Sequence, residues 1–128
     1  MDSRCRVLIV EDNYLLLDML TRVCEQGGSS VTAASSGEAA LTTIREAGGA
    51  IDWLFTDINL PGFVDGWSVA DAFRALHPGR PVVYASSGTH PRGRAVSDSL
   101  FVAKPFRMQP IAELARGIAA AKGSHATG

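Results

Sequence analysis

Short apolar runs alternate with longer amphipathic stretches along this chain, and each main run ends in a polar residue. That alternation is the signature of repeated strand–helix units, which bury their apolar faces as a parallel sheet carrying helices on its surfaces. Strands are expected at 6–10, 31–34, 51–56, 81–85 and 100–103. Helices are expected at 13–26, from Ser36 to the Gly48-Gly49 pair, at 66–76 and at 108–121. The strand runs are nearly continuous in aliphatic residues, as strands covered on both faces require. The helices carry Leu16, Leu20 and Val23, then Ala40, Leu41 and Ile44, then Ile111, Leu114, Ala115 and Ile118 at helical spacing. Gly27-Gly28, Gly48-Gly49, Pro78 and Gly123 are their stop signals. With 128 residues, 46% of them hydrophobic, the chain is large enough for one core. A single domain over 1–123 is expected, with 124–128 as a flexible C-terminal tail.

Charge narrows the function classes. Twelve basic against 13 acidic residues leave a net of −1, so no field draws the chain to nucleic acid or to an anionic membrane. No run reaches the roughly 20 apolar residues of a membrane span, and the first residues lead into a strand rather than a signal-peptide core. Cys5 and Cys24 lack redox or metal-ligand spacing and read as buried free thiols, which points to the cytoplasm.

Right-handed crossovers gather all strand C-termini at one edge of such a sheet, where open α/β folds bind ligands. Glu11-Asp12 follow the first strand, Asp57 the third, Ser86 the fourth and Lys104 the fifth. Any one of these alone reads as a helix cap or a solvated loop charge. Together they place three carboxylates at one edge, an arrangement that needs a divalent metal, a lysine, or both. Counting formal charges, the three acids and Lys104 leave −2, which a divalent cation cancels. The donors are oxygens, so a hard ion such as Mg2+ is implied rather than zinc. His77, His90 and His125 lie away from this edge in the sequence and read as surface residues, not phosphoacceptors.

Four ordered motifs resemble the receiver domain of two-component response regulators: Val7–Asn13, Asp57-Ile58-Asn59-Leu60-Pro61-Gly62, Pro81–Ser86 and Lys104-Pro105-Phe106. The resemblance covers nearly the whole chain. It implies a doubly wound, flavodoxin-like, five-stranded parallel sheet of order 2-1-3-4-5, like that of single-domain chemotaxis regulators. It also implies that Asp57 is the phosphoacceptor, Glu11 and Asp12 the acidic pair, Lys104 the cation, Ser86 the hydroxyl that follows the phosphoryl group, and Phe101 the rotating aromatic. By the same resemblance Mg2+ is held by Asp12, Asp57 and the Asn59 carbonyl, with Glu11 acting through water, and the Lys104-Pro105 bond is cis. The donor is then a sensor histidine kinase or a histidine phosphotransferase. No DNA-binding or catalytic module is expected beside the receiver in 128 residues, and output is expected as contact with a downstream protein, from a monomer or weak dimer.

Two departures from the family pattern stand out. Only 18 positions separate Ser86 from Lys104, and they contain Gly88, Pro91 and Gly93, so the fourth helix of the family is expected to be short or irregular. The Phe63-Val64-Asp65-Gly66 loop is one residue longer than usual, leaving Phe63 either exposed or folded against Trp67. Two other functions compete. An aspartyl-phosphate hydrolase would carry a second acid where Asn59 stands, and a phosphorylation-independent binding relative would have lost part of the acid–lysine set. A nucleotide-binding domain would need a Gly-rich turn in place of Glu11-Asp12-Asn13.

Overall fold

The structure, a computed structural model, describes residues 4–88 and 92–127. Strands β1 (Cys5–Val10), β2 (Ser29–Ala34), β3 (Trp53–Asp57), β4 (Val82–Ser86) and β5 (Leu100–Ala103) form one parallel sheet in the order β2-β1-β3-β4-β5. Helices α1 (Tyr14–Gln26), α2 (Gly37–Ala47), α3 (Gly66–Leu76) and α4 (Met108–Thr127) connect and cover it. This is the expected flavodoxin-like arrangement.

Strand alternation divides the core in two. Leu8, Val10, Leu54, Val82 and Tyr84 face α2 and α3, where Ala40, Ile44, Ala70 and Phe73 meet them. Val7, Ile9, Trp53, Phe55 and Val83 face α1 and α4, against Leu20, Cys24, Ile111 and Ala115. Each fully buried large side chain contributes roughly 1.5–3 kcal/mol through burial. Side-chain caps start three helices: Asn13 accepts from the Leu16 N–H (3.1 Å), Ser36 from Ala39 (3.1 Å) and Asp65 from Ser68 (2.9 Å). Gly28, at φ +100°, makes the left-handed turn that ends α1.

Register sets the site. Val10 lies opposite Ala34 and Thr56, Asp57 opposite Ala85, and Ser86 opposite Ala103. The residues that close β1, β3, β4 and β5 therefore lie at one level of the same edge.

The structure corrects three readings. β2 begins at Ser29 rather than at 31, because Ser29 is buried where its hydroxyl accepts the Trp53 Nε1–H (3.3 Å). α4 runs through Thr127, so 124–127 continue a helix that the sequence reading ended at 121 and followed with a tail. Gly123 weakens a helix by about 1 kcal/mol without stopping it. Strands β3 and β4 start later than the expected 51 and 81, at Trp53 and Val82, and run on to include Asp57 and Ser86 themselves. Among the described residues between β4 and β5 there is only a short 3-10 turn at Arg92–Arg94, in keeping with the expected irregular fourth helix. His90 and Pro91 lie outside the described residues.

Candidate functional site

β1 delivers Glu11, and its backbone N–H donates to the Ala34 carbonyl (3.0 Å), fixing the turn out of the strand. The Glu11 carboxylate is 1% exposed. One oxygen accepts the Asn13 N–H (3.1 Å) and the other the Lys104 ammonium (2.8 Å). Lys104 also donates to Asp57 Oδ2 (3.1 Å), so one ammonium bridges acids from two strands. Asp12 completes the cluster, with a carboxylate oxygen from each of Glu11, Asp12 and Asp57 lying within 4.8 Å of the others. Lys104 is placed by its own backbone N–H, which donates to the Ser86 carbonyl (2.8 Å), and the bond to Pro105 is cis.

Burial raises the Glu11 pKa, against the lowering pull of the Lys104 ammonium and the Asn13 N–H. Burial by itself would lower that of Lys104, yet the hydrogen bonds it donates to Glu11 and Asp57, and the charges of those acids, leave it raised. The ammonium is therefore held charged between two acids. Three carboxylates against one ammonium leave two formal negative charges, and every donor is an oxygen. That donor set fits a hard divalent cation such as Mg2+.

The other expected residues fall beside the cluster. Ser86 is buried, and its hydroxyl turns into its own loop, accepting from the Gly88 N–H and donating to the Gly88 carbonyl (3.1 Å each). Asn59 is exposed in the loop after β3. Phe101 is half-buried on β5, its ring 5.1 Å from Tyr84 and 6.1 Å from Trp67.

Three residues that shape the site escaped the sequence reading. Gly66 starts α3 directly against the Asp57 carbonyl, where any Cβ would collide. Glu38, in the first turn of α2, accepts the Phe63 N–H (3.0 Å). A Cβ on Gly62, at φ +87°, would lie 2.7 Å from that carboxylate. The Pro61-Gly62 pair held the signal, since Pro then Gly marks a turn needing positive φ at the second position. Phe63 is 102% exposed, which resolves its two readings in favour of solvent. The third, Tyr84, is fully buried beneath Phe101. A cleft of about 380 Å³ opens beside Lys104, lined by Asn13, Leu16, Met19, Phe106 and Met108, and Tyr14 and Leu15 stand exposed on α1.

The family profile described as the response regulator receiver domain matches residues 7–116. The chain belongs to the response regulator receiver domain family. Receiver relatives include the virulence sensor protein BvgS of Bordetella pertussis, 43% identical over 55% of this chain and 5% of that protein. The transcriptional regulatory protein PrrA of Mycobacterium bovis is 32% identical over 95% of this chain and 53% of its own length. The chain thus spans about half or much less of these two curated relatives. Among solved structures, a response regulator receiver protein from Sinorhizobium medicae superposes with a TM-score of 0.83 at 31% identity, covering 92% of this chain and 96% of that one. Two-component signalling is therefore the setting of this receiver. Among its described residues no helix is long and apolar enough to cross a membrane, and both cysteines are free and buried.

Proposed function

We propose that this receiver is a phosphorylation-gated protein switch of the cytoplasm, with Asp57 as the residue that carries the phosphoryl group. The supporting observation is the Lys104 ammonium shared between Glu11 Oε1 (2.8 Å) and Asp57 Oδ2 (3.1 Å) beside Asp12. A carboxylate at a strand end beside a fixed positive charge supports this reading, because that charge would stabilise the oxygens of an incoming phosphoryl group. The donor is a phosphohistidine of a sensor histidine kinase or a histidine phosphotransferase. The Asp57 carboxylate forms the new P–O bond as the donor P–N bond breaks, and the leaving imidazole takes up a proton. Lys104 then follows the charge from Asp57 to the phosphoryl oxygens, and the Ser86 hydroxyl leaves Gly88 to donate to one of them. Asp12, Asp57 and the Asn59 carbonyl would hold Mg2+, with Glu11 acting through water, and the ion would supply the remaining charge neutralisation.

The chain is then not an enzyme with a separate substrate. It promotes its own phosphorylation and dephosphorylation, and its output is a changed surface for a downstream protein, presented by a monomer or weak dimer. Intact mass after incubation with acetyl phosphate and Mg2+ tests the reading. Wild type gains one HPO3 group, while Asp57→Asn, and wild type in excess EDTA, gain none. Equal labelling of Asp57→Asn would overturn it.

A further inference from the structure

The segment that stands where the family has a fourth helix is fastened by side chains. Arg94 pairs with Asp71 of α3 (2.8 Å), Arg74 of α3 donates to the Ser97 carbonyl (2.6 Å), and the Ser99 hydroxyl donates to the Val96 carbonyl (2.7 Å). The Arg94–Asp71 pair is half exposed and contributes little. Asp98 turns the segment towards β5 at φ +54°, in the left-handed region that Asp visits more readily than most residues. One fastening comes from the core. Tyr84 is 0% exposed, and its phenol oxygen accepts the Val96 N–H (3.1 Å).

Tyr84 also touches the parts that surround the phosphorylation site. It lies two residues before Ser86 on β4, so the two side chains share a face of the sheet. Its ring packs 4.8 Å from Trp67 and 5.1 Å from Phe101. Trp67 follows Gly66, which abuts the Asp57 carbonyl. Asp57, Gly66, Trp67, Phe101, Tyr84 and Val96 thus form one contiguous path, and close packing along it means that a ring displaced at one point shifts its neighbours. Phe101 lies against the Tyr84 ring, 5.1 Å away and at 32°, so the two rings share one packed contact beside the phenol that holds Val96.

We propose that Tyr84 is a positioning residue that latches residues 94–99 to the core, and that phosphorylation of Asp57 releases this latch. The proposal rests on Asp57 being the phosphoacceptor. The moving output element of this receiver is then a strap held by side-chain bonds, one of them to a buried hydroxyl of the core, rather than a packed helix. A hydroxyl bond of this kind gives way without loss of the core, because the Tyr84 ring stays packed on Trp67 when the Val96 N–H departs.

Amide exchange at Val96, read by NMR on the full chain together with intact mass, tests this. Tyr84→Phe keeps the ring and removes only the latch. In the unphosphorylated chain the Val96 amide is expected to exchange roughly tenfold faster in Tyr84→Phe than in wild type, with the β1 and β3 amides unchanged. Acetyl phosphate with Mg2+ should speed Val96 exchange in wild type and add nothing further in Tyr84→Phe. A merely structural tyrosine would leave that phosphorylation response intact in the variant. Equal Val96 exchange in the two unphosphorylated proteins would overturn the latch. So would a wild type that gains the HPO3 mass while Val96 exchange stays unchanged. A wild type that gains no mass instead removes the phosphoacceptor reading, and this one with it.

Discussion

Lys104 holds two acids that the fold forces together, and its removal exposes what it balances. Glu11 is almost fully buried and Asp57 nearly so. Breaking a buried pair by deleting one partner costs about 3–5 kcal/mol, and the 20% exposure of the Lys104 side chain moderates that figure. Lys104→Met is expected to lower unfolding free energy by about 2–3 kcal/mol in metal-free buffer, measured by urea titration. A loss below about 0.5 kcal/mol would mean that the acids are solvated instead. Cys24 gives a second residue-level test. Burial pushes its thiol from 9.0 up to about 12. The folded state thus favours the protonated thiol. Its contribution is fully present below pH 9 and is lost as pH rises towards about 12. Denaturation curves across that window should show stability falling with pH, and a flatter profile in Cys24→Ala.

At the scale of elements, strands and helices were legible where one face or one run is continuously apolar. Val7–Val10 and Trp53–Phe55 announce buried parallel strands, and the acids that close them announce the site. What stayed hidden depends on contacts distant in sequence. Ser29 is drawn into β2 by Trp53, 24 positions on. Glu38 meets Phe63 across 25 positions, and the Tyr84 phenol meets Val96 across 12. The end of α4 was misread because Gly123 lowers helix propensity without imposing a turn. Gly66 was read as a helix start, although its lack of a side chain is what lets α3 approach Asp57. Gly66→Ala should therefore destabilise the fold by about 1–3 kcal/mol through overpacking. It should also slow acetyl phosphate labelling of Asp57 by displacing the loop that carries it. Unchanged stability and labelling would show that this contact relaxes freely.

For the whole molecule, the sheet edge sets three carboxylates against one ammonium, an imbalance that a divalent cation would cancel. A ligand that binds only the folded state raises stability by mass action, by about 2.7 kcal/mol at a hundredfold excess over Kd. Mg2+ should therefore raise the unfolding midpoint of wild type, with a smaller shift in Asp57→Asn and the smallest in Asp12→Asn/Asp57→Asn. Equal shifts in all three would place the metal elsewhere. The central claim is that the Asp57 carboxylate becomes an acyl phosphate. Borohydride reduction of the acetyl phosphate-treated protein, followed by peptide sequencing in the mass spectrometer, reads this most directly. Homoserine at position 57, formed only when acetyl phosphate and Mg2+ were both present, is the predicted result; homoserine at position 12, 5-hydroxynorvaline at position 11, or neither product in protein that has gained HPO3, would contradict it.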